Sequence, residues 1–151
     1  MSVHPFDPKS VLLARHAQHV VLVHFPIALF ITGVFCDVLA HWRGRRALKI
    51  VAQFNLWAAA IMVVPVVATG LAAWQWQLEG QRLKGVLRMH LLFGCAAAAL
   101  LWLVILLRRR NWSSADSSLP PLHAAFELLA VAAIAVTAHL GGFVSGVNLP
   151  G

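Results

Sequence analysis

Four apolar runs, each long enough to cross a lipid bilayer, constrain the fold of this chain more than any other feature. They extend over residues 20–40, 54–74, 86–107 and 122–144. A membrane-spanning helix needs about 20 predominantly apolar residues, so each run predicts one transmembrane helix. The four helices use most of the chain, and residues 1–151 are therefore expected to form a single all-α transmembrane domain.

The composition favours lipid rather than water around these helices. Hydrophobic residues make up 60% of the chain and charged residues 11%, whereas a soluble domain averages about 25% charged residues. A formal charge of +7 raises the question of nucleic acid as a partner, because clustered cations bind phosphates. The cations instead cluster at the ends of the apolar runs, where Lys and Arg anchor and orient membrane helices. We therefore expect the lipid bilayer, and no nucleic acid, as a partner.

Short connections between the runs predict the topology. Neighbouring helices should be antiparallel and form an integral membrane four-helix up-down bundle. The connections after the first and third runs share one side of the membrane and hold seven Lys and Arg residues, against five on the other side. Because cytoplasmic loops carry the excess of cations, we expect a multi-pass protein of the bacterial inner membrane with both termini in the periplasm.

Three histidines lie inside the apolar runs at matched depth. His24 and His90 each lie about four residues after the start of a run, and His139 lies about five residues before the end of one. The fourth helix runs opposite to the first and third, so all three imidazoles reach the outward-facing leaflet, roughly 6 Å below its edge. Ionisable residues inside a membrane usually face the bundle interior and mark a functional site. The histidines therefore predict a shared polar site.

Other residues at this depth are candidates for the same site. His19 precedes His24 by five residues, which puts the two on different faces of a continuous helix, so His19 is expected at the rim. Pro26 removes a backbone hydrogen bond near His24 and is expected to bend the first helix. Small or polar residues on the facing helices let backbones approach or leave space for a flat ligand: Thr69, Gly70 and Gly94.

A b-type haem is the first hypothesis for this site. Low-spin haem iron takes two axial side chains, and four-helix bundles build cofactor sites from facing helices. The ligands would be His24 and His90, or His90 and His139. The remaining histidine would bind a propionate or a quinol.

Two alternatives remain open. The first is a metal site in which His24, His90 and His139 together bind copper or zinc, since imidazole suits both metals. The second is a non-catalytic scaffold or anchor subunit of a redox complex, in which the histidines only hydrogen-bond each other or the backbone and hold helices together.

The sequence favours an electron-transfer or accessory subunit over a stand-alone enzyme. It contains no Ser-His-Asp arrangement, phosphate-binding Gly loop or paired-carboxylate cleft, so no catalytic residue is predicted. Cys36 and Cys95 lie inside apolar runs, and the absence of CxxC and CxxCH excludes covalent c-type haem attachment. At the inner leaflet, Asp37 and Glu127 lie at similar depth. The expected ion-pair partners are interfacial cations: Arg45, Arg46, Arg108 or His123.

Several motifs resemble one family of small bacterial membrane proteins, catalogued as domain of unknown function family 2231. They are HxxxxHFPIAL from His19 to Leu29, ATGLAAW near the end of the second run, the His90 of RMH, and HLGGFVSGV in the fourth run. This last motif departs from the family pattern LGG-x-LVY-x-HG, because Phe143, Val144 and Ser145 replace the stretch that usually supplies a Tyr and the His after it is absent. The resemblance implies a four-helix membrane protein. Such domains occur beside or fused to c-type cytochromes and iron–sulfur proteins, which implies a respiratory electron-transfer setting with a c-type cytochrome, a quinol or a larger redox complex as partner.

Overall fold

The computed structural model describes residues 15–77, 83–110 and 121–146, and all the regular structure in these ranges is helical. Four segments are long and apolar enough to cross a membrane. The prediction of an all-α membrane bundle is confirmed. The helices are α1 (Arg15–Leu22), α2 (His24–Arg43), α3 (Arg46–Gln77), α4 (Gly85–Arg110) and α5 (Pro121–Val144).

The long helices pack as two hairpins, α2 with α3 and α4 with α5. Contacts between the hairpins are made by α3 with α4 and, over a shorter stretch, by α2 with α5. Alanines in the interface allow the backbones to approach closely. The buried core that joins the hairpins comes from all four long helices: Phe30, Leu56, Ala59, Ala97, Leu101, Ile105 and Ala130.

Large apolar side chains cover the outside of the bundle. Phe35, Phe54 and Leu128 are more than 60% exposed. Such a surface is stable in lipid, because hydrocarbon tails solvate apolar side chains while the helices satisfy their own backbone polar groups. The lipid bilayer is therefore the surroundings that this fold requires.

The connection between α2 and α3 is very short. Gly44 adopts a left-handed conformation with φ of 61°, and its N–H donates to the carbonyl of Ala40. A residue with a Cβ is strained there, so glycine suits this helix end. The helix α3 begins at Arg46, about eight residues before the apolar run, because residues 46–53 favour helix although they are too polar for the hydrocarbon core.

The first membrane segment is interrupted at Val23, between α1 and α2. Pro26 has no N–H, so the carbonyl of Leu22 lacks its usual donor four residues later. The backbone bonds on either side remain, from Val23 N to His19 O at 3.0 Å and from Ile27 N to Val23 O at 3.4 Å. Val23 itself keeps right-handed helical dihedrals, φ −59° and ψ −28°, so the predicted bend is limited to one missing hydrogen bond between α1 and α2.

Candidate functional site

His19, on α1, reaches across to α3. Its Nδ1 lies 3.1 Å from the carbonyl oxygen of Val66 and 3.4 Å from Oγ1 of Thr69. Since a carbonyl only accepts hydrogen bonds, Nδ1 carries the proton and donates. The Thr69 hydroxyl donates to the Pro65 carbonyl at 2.9 Å. The ring lies against Gly70, where a Cβ would come within 2.9 Å of His19 Cε1.

His90, on α4, makes the equivalent contact with α5. Its Nδ1 donates to the carbonyl oxygen of Thr137 at 3.0 Å. The ring lies against Gly141, where a Cβ would be 3.2 Å from His90 Cε1. Gly94 is less constrained, because a Cβ there would meet only Cγ2 of Thr137 at 3.6 Å. Each hairpin therefore holds one histidine by a backbone carbonyl and a neighbouring glycine.

The two rings form a histidine pair between the hairpins. The ring centroids of His19 and His90 are 6.4 Å apart, and their planes are 85° from parallel. Both side chains are half-buried. With Nδ1 donating to a carbonyl, the neutral imidazole carries its lone pair on Nε2, as assigned from the hydrogen-bond partner. Histidines that ligate metals commonly donate their other ring N–H to an acceptor of this kind, which orients the ring.

His24 and His139 lie elsewhere on the surface of the bundle. Both are exposed, and the ring of His139 packs against Phe143 with centroids 5.1 Å apart. Residues two apart on a helix are separated by about 200°, so His24 points away from Pro26 and the rest of the buried face of α2. The histidines predicted at equal depth in the membrane therefore have side chains that point in different directions.

No three His, Cys, Asp or Glu side chains within the described ranges converge as a metal ion would require. His24, His90 and His139 therefore do not meet at one point there. That these three bind a cofactor stays a prediction, and so does the copper or zinc alternative. Of the predicted site residues, His19, Thr69 and Gly70 contact each other within the first hairpin. His19 also contacts His90, which lies on the second hairpin.

The role of His19 as a pair member was missed by the sequence reasoning, which placed it at the rim. His19 is half-buried and His24 is exposed, so the two lie on different faces, as the five-residue spacing indicates. No sequence signal indicates that the face of His19 packs on α3. The carbonyl acceptors Val66 and Thr137 have no sequence signal, because any residue supplies a carbonyl.

At the opposite end of the bundle, three buried charged side chains form a triad, Asp37–Arg108–Glu127. Arg108 Nη1 donates to Glu127 Oε1 at 2.9 Å, and Nη2 donates to Asp37 Oδ1 at 2.5 Å. All three side chains are less than 10% exposed. The expected pairing of both carboxylates with an interfacial cation is confirmed, and Arg108 is that cation.

The fold and its charged and histidine clusters define a class, an integral membrane protein with four spans. The chain belongs to the family of predicted membrane proteins DUF2231, whose model matches residues 15–147. This confirms the resemblance read from the motifs. No curated protein and no solved structure matches the chain.

Proposed function

We propose that this protein binds a b-type haem between His19 and His90 and transfers electrons as a membrane subunit. The proposal replaces the ligand pairs expected from depth alone with the pair that lies between the hairpins. We further propose that the histidine end of the bundle, where His19 and His90 lie, faces the periplasm of a bacterial inner membrane. A c-type cytochrome, a quinol or a larger redox complex would be the partner there.

The observation that carries the proposal is the geometry of the pair. A metal–imidazole bond is about 2 Å long and a ring centre lies about 1.1 Å from its nitrogen, so two imidazoles on opposite sides of one iron have centroids about 6.3 Å apart. The centroids of His19 and His90 are 6.4 Å apart. Gly70 and Gly141 allow the two rings to lie directly on the helix backbones, where a Cβ would come 2.9 Å and 3.2 Å from Cε1 of His19 and His90. The donor set and its spacing therefore fit a haem.

The residues around the pair have defined roles under this proposal. Bound haem would supply one-electron chemistry, and its axial ligands would set the reduction potential. The carbonyls of Val66 and Thr137 orient the rings and make them better donors by accepting from Nδ1. Lys84 and Arg88 are exposed near the start of α4 and are available to pair with propionates.

Absorption spectra of the purified full-length protein test the proposal. The wild type, produced with a supply of haem precursor, is expected to show a Soret band, a sharp α band on reduction, and about one haem per chain by pyridine haemochrome assay. His19→Ala and His90→Ala would each remove one of the two proposed ligands. The haem content per chain should fall at least 10-fold in both variants.

His24→Ala and His139→Ala are the matched controls, because they remove exposed histidines from neighbouring positions. Both should keep the wild-type spectrum. A wild-type protein without a Soret band would contradict the proposal, as would controls that lose haem while His19→Ala keeps it. Retained partner assembly in a haem-free wild type would favour the scaffold alternative instead.

A further inference from the structure

The triad Asp37–Arg108–Glu127 carries more negative than positive charge in a low-dielectric region. Each carboxylate pairs with Arg108 through one oxygen only. The other oxygens, Asp37 Oδ2 and Glu127 Oε2, are fully buried and have no hydrogen-bond partner among the described residues. With both carboxylates ionised, the triad would hold one uncompensated charge and two unsatisfied acceptors, both of which are costly when buried.

The triad is buried near the end of the bundle opposite the histidine pair. Asp37 is about six residues from the end of α2 and Glu127 about six from the start of α5, or roughly 9 Å along each helix. Asp37 and Glu127 are 4% and 1% exposed. An ionisable group at such a depth usually marks an ion or proton site.

We propose that the triad binds one exchangeable proton, held as a carboxylic acid by either Asp37 or Glu127 while the other carboxylate stays ionised beside Arg108. The step is the addition of a proton from water to a carboxylate oxygen, and its release restores the carboxylate. Bound proton, one carboxylate and one guanidinium together leave the triad neutral. The acid O–H also converts one of the unsatisfied oxygens into a donor.

The other charged groups near the triad do not remove the need for this proton. His123, one turn before Glu127, is buried, lies within electrostatic range of Arg108 and Asp37, and hydrogen-bonds the backbone of Leu107. Protonation of His123 would add a fourth buried charge, whereas protonation of a carboxylate removes one.

The remaining long helix, α3, supplies no second acid. It has no Asp or Glu, its two cations, Arg46 and Lys49, lie in its first turn, and its buried Gln53 Nε2 is a neutral donor without a partner among the described residues. Arg109, next to Arg108 on α4, is exposed and its guanidinium lies over the ring of Trp57, 5.8 Å from the centroid. The carboxyl pair is therefore the group that titrates under the proposal.

Infrared spectroscopy of the full-length protein in lipid vesicles tests this site. At neutral pH, the wild type is expected to show the C=O stretch of a protonated carboxyl group, and that band should shift in D₂O because the proton exchanges. Asp37→Asn and Glu127→Gln each supply a neutral amide in place of the acid, so the remaining carboxylate ionises beside Arg108. Both variants should lose the band, and Asp116→Asn, a change outside the triad, should keep it.

Thermal unfolding in the same vesicles gives a second readout. Each single amide leaves one carboxylate for Arg108, so Tm should stay near or above that of the wild type. The double variant leaves Arg108 without an anion, and its Tm should fall by much more than the sum of the single effects.

A wild type without the carboxyl band overturns the proposal, whether the balancing charge is then on His123 or on a bound metal cation. A band that persists in either single variant also overturns it. Because the wild-type spectrum alone decides whether the acid exists, the test holds even if a variant fails to fold.

Discussion

At the scale of single residues, the two histidines of the pair are held in the same way. His19 and His90 each donate through Nδ1 to a backbone carbonyl of the neighbouring helix, and each lies against a glycine. A backbone acceptor fixes the tautomer as well as the direction of the ring. Gly70 makes the closest of these contacts, so a side chain added at this residue should displace the histidine ring most.

Gly70→Ala is expected to displace the ring of His19. Its Cβ would come 2.9 Å from Cε1, so the ring must move and the bond from Nδ1 to Val66 should break, at a cost of about 1 kcal/mol. Thermal unfolding should show this loss, and the haem content per chain should fall. Gly94→Ala is the control, since its Cβ meets only an ordinary contact at 3.6 Å. Equal effects of the two substitutions would be evidence against a specific role for Gly70.

At the scale of helices, breaks and tight ends decide where side chains point. Pro26 removes one helical hydrogen bond between α1 and α2, and α1 packs against α3. At the other end, Gly44 reverses the chain within two residues and holds α2 and α3 antiparallel. These two local features place His19 opposite Val66 without any long loop.

Pro26→Ala is expected to join α1 to α2. Alanine restores the N–H that the Leu22 carbonyl lacks, and alanine favours a helix interior by about 3 kcal/mol over proline. The restored hydrogen bond would straighten the helix and shift His19 relative to Val66, so the haem content should drop several-fold while the helical circular dichroism stays equal or rises.

Pro121→Ala provides the comparison for that experiment. Pro121 begins α5, where a missing N–H breaks no helical hydrogen bond, so its replacement should leave the haem spectrum unchanged. Unchanged haem content in Pro26→Ala would show that the break is not needed for the histidine pair.

At the scale of the whole molecule, two polar clusters connect the hairpins at opposite ends. The pair His19–His90 joins α1 to α4, and the triad Asp37–Arg108–Glu127 joins α2 to both α4 and α5. Between them the interface is apolar and combines alanines with larger side chains such as Phe30, Leu56 and Leu101. Hydrophobic burial does not drive helix association inside lipid, so packing and polar contacts contribute much of the association between hairpins.

Arg108→Gln is expected to weaken the association of the hairpins. Removal of the guanidinium leaves a buried carboxylate without its cation, and breaking a buried ion pair on one side costs about 3–5 kcal/mol. Arg109→Gln is the matched neighbour, because Arg109 is exposed and contacts a ring face only. Thermal unfolding should show a large loss for Arg108→Gln and a small one for Arg109→Gln, and similar losses would contradict the structural role of the triad.

The amino-acid sequence by itself determined the four spans, the all-α class, the family and the depth of each ionisable residue, because hydropathy and distance along a helix are local properties. It also limited the partner of Asp37 and Glu127 to a few cations. Only the tertiary structure decided that the cation is Arg108, that His24 and His139 are exposed, and that His90 faces His19. These outcomes depend on how each helix is rotated about its axis, and rotation is set by the packing of all the helices together.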